Sequence, residues 1–432
     1  MSMKIGFLTE RLLLGFGVDL VVHHYASMLV DKGYDVEVYC FRHEPAFDQY
    51  YKVVDLSAPG VLSLTGSMTL NILHFGEIFN QLDVDVWIVN TPPFYDVIPL
   101  LQKPVVAIEY GTPPSSFFAP EIGKNLDASV GYRFRYVFPR LRPQDEILCI
   151  SRDIQNWLPK KVRGASNVLY LGCDHYPKAD ETEAREFREG LGLDEDSVVL
   201  LWVGRVQLEA DEQPYKGFKK FVALADRACA AEPRLRIVVV GRGGEAEAEF
   251  LRSRGIVPRL NLPDAQMGAA FASADFFVST SLWEGFNLPL LEAQYQGTPV
   301  IAYRLGPHPE VVNDGVTGVL VDDDEALLEA ALTLTRDTDE RARLAACTRA
   351  FADGFSWRKS RDGLEKAIQA VVSERDEKVG NDSPAVNVQG WGEYTFMVSD
   401  VYFRYGFLIL LQRMAAFVRT RFSGVMACGR AS

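Results

Sequence analysis

One stretch, Ser279 to Tyr303, constrains the fold of this chain more than any other. The apolar run Phe276-Phe277-Val278 leads into it and reads as a buried strand. Glu284-Gly285-Phe286-Asn287 reads as a turn. Pro289 suits the first turn of a helix, where a missing N–H costs nothing. The helix should run to about Gln296 and stop at Gly297, and Val300-Ile301-Ala302 should begin the next strand. Strand, loop, helix, strand is the repeating unit of a parallel α/β sheet.

Glu284 and Glu292 stand eight residues apart in this unit. Glu284 falls on the loop at a strand's carboxyl end, where open α/β sheets bind ligands. Glu292 falls just over one turn inside the helix, whose N-terminus offers free N–H groups and the positive end of a dipole. A carboxylate accepts two vicinal sugar hydroxyls. Glu292 therefore reads as a ribose ligand and Glu284 as a ligand of a transferred sugar. Two solvated charges at a helix end are the alternative.

The chain has 432 residues, 48% of them hydrophobic, enough for two domains with separate cores. A formal charge of −13 argues against a nucleic-acid partner. Six cysteines and six histidines are dispersed, which suggests reduced thiols and neither a disulfide framework nor a metal site. No cofactor is expected. No run approaches the roughly 20 apolar residues of a membrane span. The opening Met1-Ser-Met-Lys enters a strand without a secretory core, so a cytoplasmic protein is expected.

Alternation begins at once. Lys4 to Leu8 reads as a strand, Gly15-Phe16-Gly17 as a turn, Val18 to Lys32 as a helix and Val36 to Tyr39 as a second strand. Glycine at the helix start lets a phosphate approach the backbone, although a plain turn reads as well. Further strands fall at Val84–Val89, Val105–Ile108, Ile147–Ile150 and Val168–Leu171. Glu109 and Tyr110 follow one of them at the same ligand edge. Residues 112–145 break the alternation and carry Arg133, Arg135, Arg140 and Arg142, either an acceptor-binding region or a solvated face. An acidic stretch from Lys178 to Asp196 reads as the inter-domain connection. Val198 to Val203 is an unbroken apolar strand ending in Gly204-Arg205, and Lys216-Gly217 opens the helix after it. Arg205 and Lys216 share one loop at a strand's carboxyl end. Two cations there can neutralise a diphosphate without a metal, or are ordinary surface charges.

Glu284-Gly-Phe-Asn-Leu-Pro-Leu-Leu-Glu292-Ala, followed by Gly297-Thr-Pro-Val, resembles the Glu-x7-Glu segment of the family-four (group 1) retaining glycosyltransferases. The resemblance covers residues 3 to about 373. It implies the GT-B fold, two Rossmann-like α/β domains facing across a cleft. Residues 1–175 would form the acceptor domain and 176–375 the nucleotide-sugar domain. It implies that Arg205 and Lys216 clamp the departing diphosphate and that Glu284, with the Phe286-Asn287-Leu288 backbone, holds the sugar. Glu292 would hold the ribose, the segment Arg259 to Leu262 would meet the base, and Gly17 would lie by the donor. Glu109 and Tyr110 would lie by the reacting sugar or acceptor. Glu310 reads as structural. Three positions depart from the family pattern: Phe16 and Asn287 stand where glycine is usual, and Tyr110 where histidine is usual.

After a polar linker from Glu374 to Gln389, the tail from Trp391 turns aromatic and basic, with Arg404, Arg413, Arg419 and Arg421. A helix there suits an anionic membrane surface, or packs on the first domain or on a second copy. The expected activity is transfer of a hexose from a UDP- or GDP-sugar to a sugar or lipid-linked acceptor hydroxyl, with retention and without a metal, in cell-surface polysaccharide or glycolipid synthesis. The expected location is the cytoplasm, at the inner face of the plasma membrane. Two other classes stay open. One is a nucleotide-sugar-binding subunit without catalysis. The other is a Rossmann dehydrogenase, which the lack of glycine at Leu20 disfavours, since it breaks the Gly-x-Gly-x-x-Gly pattern.

Overall fold

A computed structural model describes residues 2–57, 68–193, 196–208 and 213–378. The expected helix in the basic tail lies outside these residues.

Short apolar strands separated by helices can bury both faces only inside a parallel sheet. Two such sheets form. The first contains β1 (Lys4–Leu8), β2 (Asp35–Cys40), β3 (Lys52–Asp55), β4 (Val86–Val89), β5 (Val105–Glu109), β6 (Glu146–Cys149) and β7 (Ser166–Val168), in spatial order β3-β2-β1-β4-β5-β6-β7. The second contains β8 (Val198–Arg205), β9 (Leu235–Arg242), β10 (Val257–Leu260), β11 (Phe276–Ser279), β12 (Val300–Tyr303) and β13 (Gly318–Val321), in order β10-β9-β8-β11-β12-β13. Every pairing in both sheets is parallel. Each order reverses once, between β1 and β4 and between β8 and β11. Such a reversal opens a crevice at the strands' carboxyl ends.

The expected unit at residues 276–303 is present as β11, a helix α7 (Leu288–Tyr295) and β12, with Pro289 in the first helical turn. Helix α1 (Gly17–Asp31) follows β1, α2 (Met68–Gln81) precedes β4, and α3 (Pro120–Tyr132) lies within the stretch that breaks the alternation. Helix α4 (Arg152–Trp157) follows β6, α5 (Phe218–Ala231) joins β8 to β9 and α6 (Asp264–Ala272) joins β10 to β11. Strand β7 ends at Val168, three residues before the expected limit, because the chain there leaves the sheet towards the second domain.

The long helix α8 (Trp357–Lys378) follows the second sheet in sequence but packs on α1, β4 and β5 of the first. Its Trp357, Leu364, Ala367, Ile368 and Val371 are buried. Tyr25 and Ser360 hydroxyls meet at 2.7 Å, and Tyr34 donates to Glu365 at 2.8 Å. A second tie is made by Glu310. Its carboxylate accepts the backbone N–H groups of Arg152 and Asp153 at 2.8 and 2.9 Å and the Tyr170 hydroxyl at 2.9 Å. One glutamate of the second domain thus takes the orphan donors at the start of α4 in the first.

Candidate functional site

The crevice of the second sheet is built by two loops, one after β8 and one after β11. They are knitted together by backbone and hydroxyl groups. Leu282 N–H donates to the Tyr215 carbonyl at 2.6 Å, and the Thr280 hydroxyl donates to the Gly217 carbonyl at 3.0 Å. The Trp202 indole N–H holds the same Thr280 hydroxyl at 3.1 Å. Gly217 has φ 71°, and a Cβ on it would lie 1.9 Å from the Thr280 carbonyl oxygen. Only glycine lets the two loops approach so closely.

That approach brings Lys216 onto Glu284. The Lys216 ammonium lies 2.8 and 2.9 Å from the two Glu284 oxygens. Glu284 is 5% exposed, and Lys216 is half-buried. Burial works against the lysine's charge, but the carboxylate beside it outweighs this and raises the Lys216 pKa above its ordinary value. The pair is a charged acceptor and a charged donor held together at the crevice mouth.

Glu292 is also buried, inside α7, with Oε1 3.3 Å from His175 Nε2. The Trp357 indole N–H donates to His175 Nδ1 at 3.1 Å, which leaves the imidazole proton on Nε2, facing the carboxylate. Glu292 thus lies close to His175, just ahead of the inter-domain connection. Arg205 closes β8, with its guanidinium over the Phe16 ring, 4.5 Å from the centroid. Gly17 is the first residue of α1, and open space surrounds the place of a Cβ. Leu262 follows the Asn261 turn, which is pinned to the Gly241 and Gly243 carbonyls at 2.6 and 2.8 Å. Lys216 and Glu284 are in contact; Arg205 ends β8, and Lys216 lies on the loop that leads from it to α5.

The Asn287 departure has a backbone explanation. Asn287 caps α7 in the left-handed conformation, φ 71° and ψ 66°. Asparagine tolerates that region better than any other side-chain-bearing residue except aspartate, so it does the backbone work of a glycine. Its buried amide Nδ2 donates to Ser279 Oγ at 3.0 Å and to His308 Nε2 at 2.9 Å. His308 Nδ1 in turn donates to the Tyr303 carbonyl at 2.7 Å. Burial lowers the His308 pKa, and the ring is neutral with its proton on Nδ1. The Phe286 side chain packs inward near Tyr170 and Phe355, and Leu288 is buried, so both present backbone to the cleft. We predict that His308→Leu, which removes one of the two acceptors of the buried Asn287 amide and leaves one N–H unsatisfied, lowers stability by about 2 kcal/mol. In an Asn287→Gly background the same change should cost under about 1 kcal/mol, because glycine needs no partner to hold a positive φ. Denaturant melts of the four variants read the difference, and equal costs in both backgrounds would refute the coupling.

The first domain reaches the cleft through backbone more than side chain. A Cβ on Gly285 would lie 2.2 Å from the Tyr110 carbonyl oxygen, and one on Gly111 would lie 3.0 Å from the Trp283 ring. The buried Tyr110 hydroxyl donates to Asn90 Oδ1 at 2.9 Å. Glu109 is 1% exposed, 3.2 Å from the buried Arg133 guanidinium, and accepts Gly111 N–H at 2.9 Å. Glu109 is thus buried under the Gly111 turn, against Arg133. Two of the four arginines expected in an acceptor-binding region or a solvated face, Arg133 and Arg142, are occupied within the protein. Arg133 is interior, and Arg142 is spent on Asp145 and the carbonyls of Leu101, Gln102 and Lys103. Aromatic rings supply the wall instead, with Phe117 and Phe118 each 6.2 Å from Tyr215, and Trp283 edge-on to it at 5.6 Å.

Sequence reasoning passed over two residues near this site. His308 gave no signal beyond its place in Gly306-Pro-His-Pro-Glu310. Arg242 closes β9 directly opposite Arg205, and an arginine ending the neighbouring strand was the available signal.

Comparison with known proteins agrees with this layout. Residues 197–337 match the family described as "Glycosyl transferases group 1". A D-inositol 3-phosphate glycosyltransferase of Geodermatophilus obscurus is 35% identical over 224 residues, which are 47% of this chain and 46% of that protein. One from Corynebacterium glutamicum is 34% identical over 210 residues, covering 44% of this chain and 48% of that protein. The match thus spans about half the length of these curated relatives. Among solved structures, Anabaena HepE in complex with UDP-glucose is 18% identical with a TM-score of 0.66, covering 85% of this chain and 100% of that one. Sucrose-phosphate synthase from Thermosynechococcus elongatus is 16% identical with a TM-score of 0.68, covering 86% and 100%. Residues 197–337 thus resemble the group 1 glycosyl transferases, and the two domains together have the GT-B fold.

Proposed function

We propose that this chain transfers a hexose from a UDP- or GDP-sugar to an acceptor hydroxyl, with retention of anomeric configuration and without a metal. The observation that carries the reading is the Lys216–Glu284 pair, held at the crevice of the second sheet by loops that only Gly217 allows to meet. A nucleotide-sugar brings a diphosphate and a polyol. Lys216 and Arg205 suit the first, and Glu284 and Glu292 suit hydroxyls of the second and of ribose.

In the reaction the bond from the anomeric carbon to the diphosphate oxygen breaks, and the leaving oxygen gains negative charge. Lys216 and Arg205 stabilise that charge where it develops. The acceptor oxygen bonds to the anomeric carbon, and its proton passes to the leaving phosphate. The Glu284 carboxylate orients the sugar, and the left-handed Asn287 aims the first N–H groups of α7 at it. The acceptor enters from the first domain, past the aromatic wall of Phe117, Phe118 and Tyr215. A lipid-linked acceptor at an anionic membrane, met through residues 391–432, and a role in cell-surface glycan synthesis complete the proposal.

A thermal-shift panel of UDP, GDP, ADP and their sugars, run in chelator, tests it. One base series should stabilise the wild type and leave the Lys216→Ala, Glu292→Ala double variant unmoved. No shift with any nucleotide, or a shift only with NAD-type dinucleotides, would overturn it. Stabilisation by a donor that is never turned over to free nucleotide would favour a binding subunit.

A further inference from the structure

Phe16 occupies the N-cap of α1, where the family pattern has glycine, and its ring faces three guanidiniums. The Cζ atoms of Arg11, Arg205 and Arg242 lie 4.0, 4.5 and 5.9 Å from the ring centroid. Arg11 belongs to the first domain and is neutralised by Asp19 at 3.3 Å. Arg205 and Arg242 belong to the second and are direct partners in the β8–β9 ladder, so their side chains leave the same face of the sheet. Both strands end there, at the edge where the crevice lies. A Cβ on Gly15, which has φ 75°, would lie 2.2 Å from Arg242 Nε, so the guanidinium rests on the backbone of the first domain's glycine turn. Among the described residues no carboxylate stands within ion-pair distance of Arg242.

Two like charges side by side on a ladder repel. The face of an aromatic ring offsets part of that, by attracting both cations. An anion bound between them would offset it further, and two planar forks from adjacent strands can grip two neighbouring phosphates, each by paired N–H donors. We propose that Arg242 is a third cation of the diphosphate site: it binds the phosphate that Arg205 does not, and Phe16 holds the two guanidiniums together from across the domain interface. This rests on the donor-site reading given above.

The test is isothermal titration of the full chain with UDP, GDP and ADP and with the matching monophosphates, for wild type and Arg242→Gln. Arg242 is exposed, so the variant should melt with the wild type. Arg242→Gln should weaken the bound diphosphate about tenfold and the matching monophosphate less than about twofold, since one charged contact is lost from one phosphate. Arg242→Lys, which keeps the charge without the fork, should fall between. Unchanged diphosphate affinity in Arg242→Gln would overturn the assignment, as would equal weakening of mono- and diphosphate. If the wild type binds none of the three diphosphates, the donor-site reading itself fails, a result distinct from either.

Discussion

Lys216→Ala is expected to lower kcat/KM by about a thousandfold, the scale of losing one preorganised group that meets developing charge. It removes the cation nearest Glu284 and leaves that carboxylate buried at 5% exposure with no ammonium beside it. The second effect should cost about 3 kcal/mol of stability. The two effects are separable. In Lys216→Ala, Glu284→Gln the buried charge is gone, so the melting temperature should recover while turnover stays lost. A single variant with more than about a tenth of wild-type kcat/KM would remove Lys216 from the leaving-group role. The pH dependence of the pair follows from its direction. The folded-state pKa of Lys216 lies above the unfolded value of 10.5. The stabilisation is therefore complete below 10.5 and fades only as pH rises through the folded value. Neutral-range pH profiles should carry no titration from this lysine.

Gly217→Ala should destabilise the protein by about 4 kcal/mol, near 10 °C in melting temperature for a domain of this size. Two costs add. The left-handed backbone at φ 71° penalises any Cβ, and this Cβ would sit 1.9 Å from the Thr280 carbonyl oxygen, which is backbone and has little room to give. The loops after β8 and β11 must part, and the hydrogen bond from Leu282 N–H to the Tyr215 carbonyl parts with them. Donor affinity should fall with stability, because Lys216 is the adjacent residue. A melting temperature within about 1 °C of wild type would show that the crevice is looser than its geometry implies.

The second domain was the more legible half. Its strands are unbroken apolar runs, Val198 to Val203 and Leu235 to Val240, and its helices are bounded by Gly217, Pro289 and Gly297, so period and punctuation agree. The first domain was read less completely. Its edge strand Lys52–Asp55 carries charge at both ends, and in the second domain the edge strand Val257–Leu260 contains a proline, so neither shows the apolar run of a central strand. Strand Gly318–Val321 was read only as the continuation of a turn, since four residues carry little period. Single residues stand out in the sequence where they share one short segment, as Glu284 and Glu292 do. They do not where the partner is distant along the chain. Arg242 meets Arg205 only through the strand ladder, and the buried partner of Glu109, Arg133, comes twenty-four residues later, beyond a helix. Asn287 was visible as an oddity, but its meaning is a backbone angle that sequence does not display.

Helix α8 gives the order of synthesis a consequence. The first sheet is encoded by residue 168, yet the helix that packs on α1, β4 and β5 begins only at Trp357. A ribosome that has finished β7 has made a domain whose cover is still nearly two hundred codons away. Until that helix emerges, the first domain must present the apolar surface that Trp357, Leu364 and Ile368 will later occupy. Contacts this distant in sequence form late and slowly. The last described helix is thus the clasp that the first domain waits for, and the whole second domain must be translated before it can close.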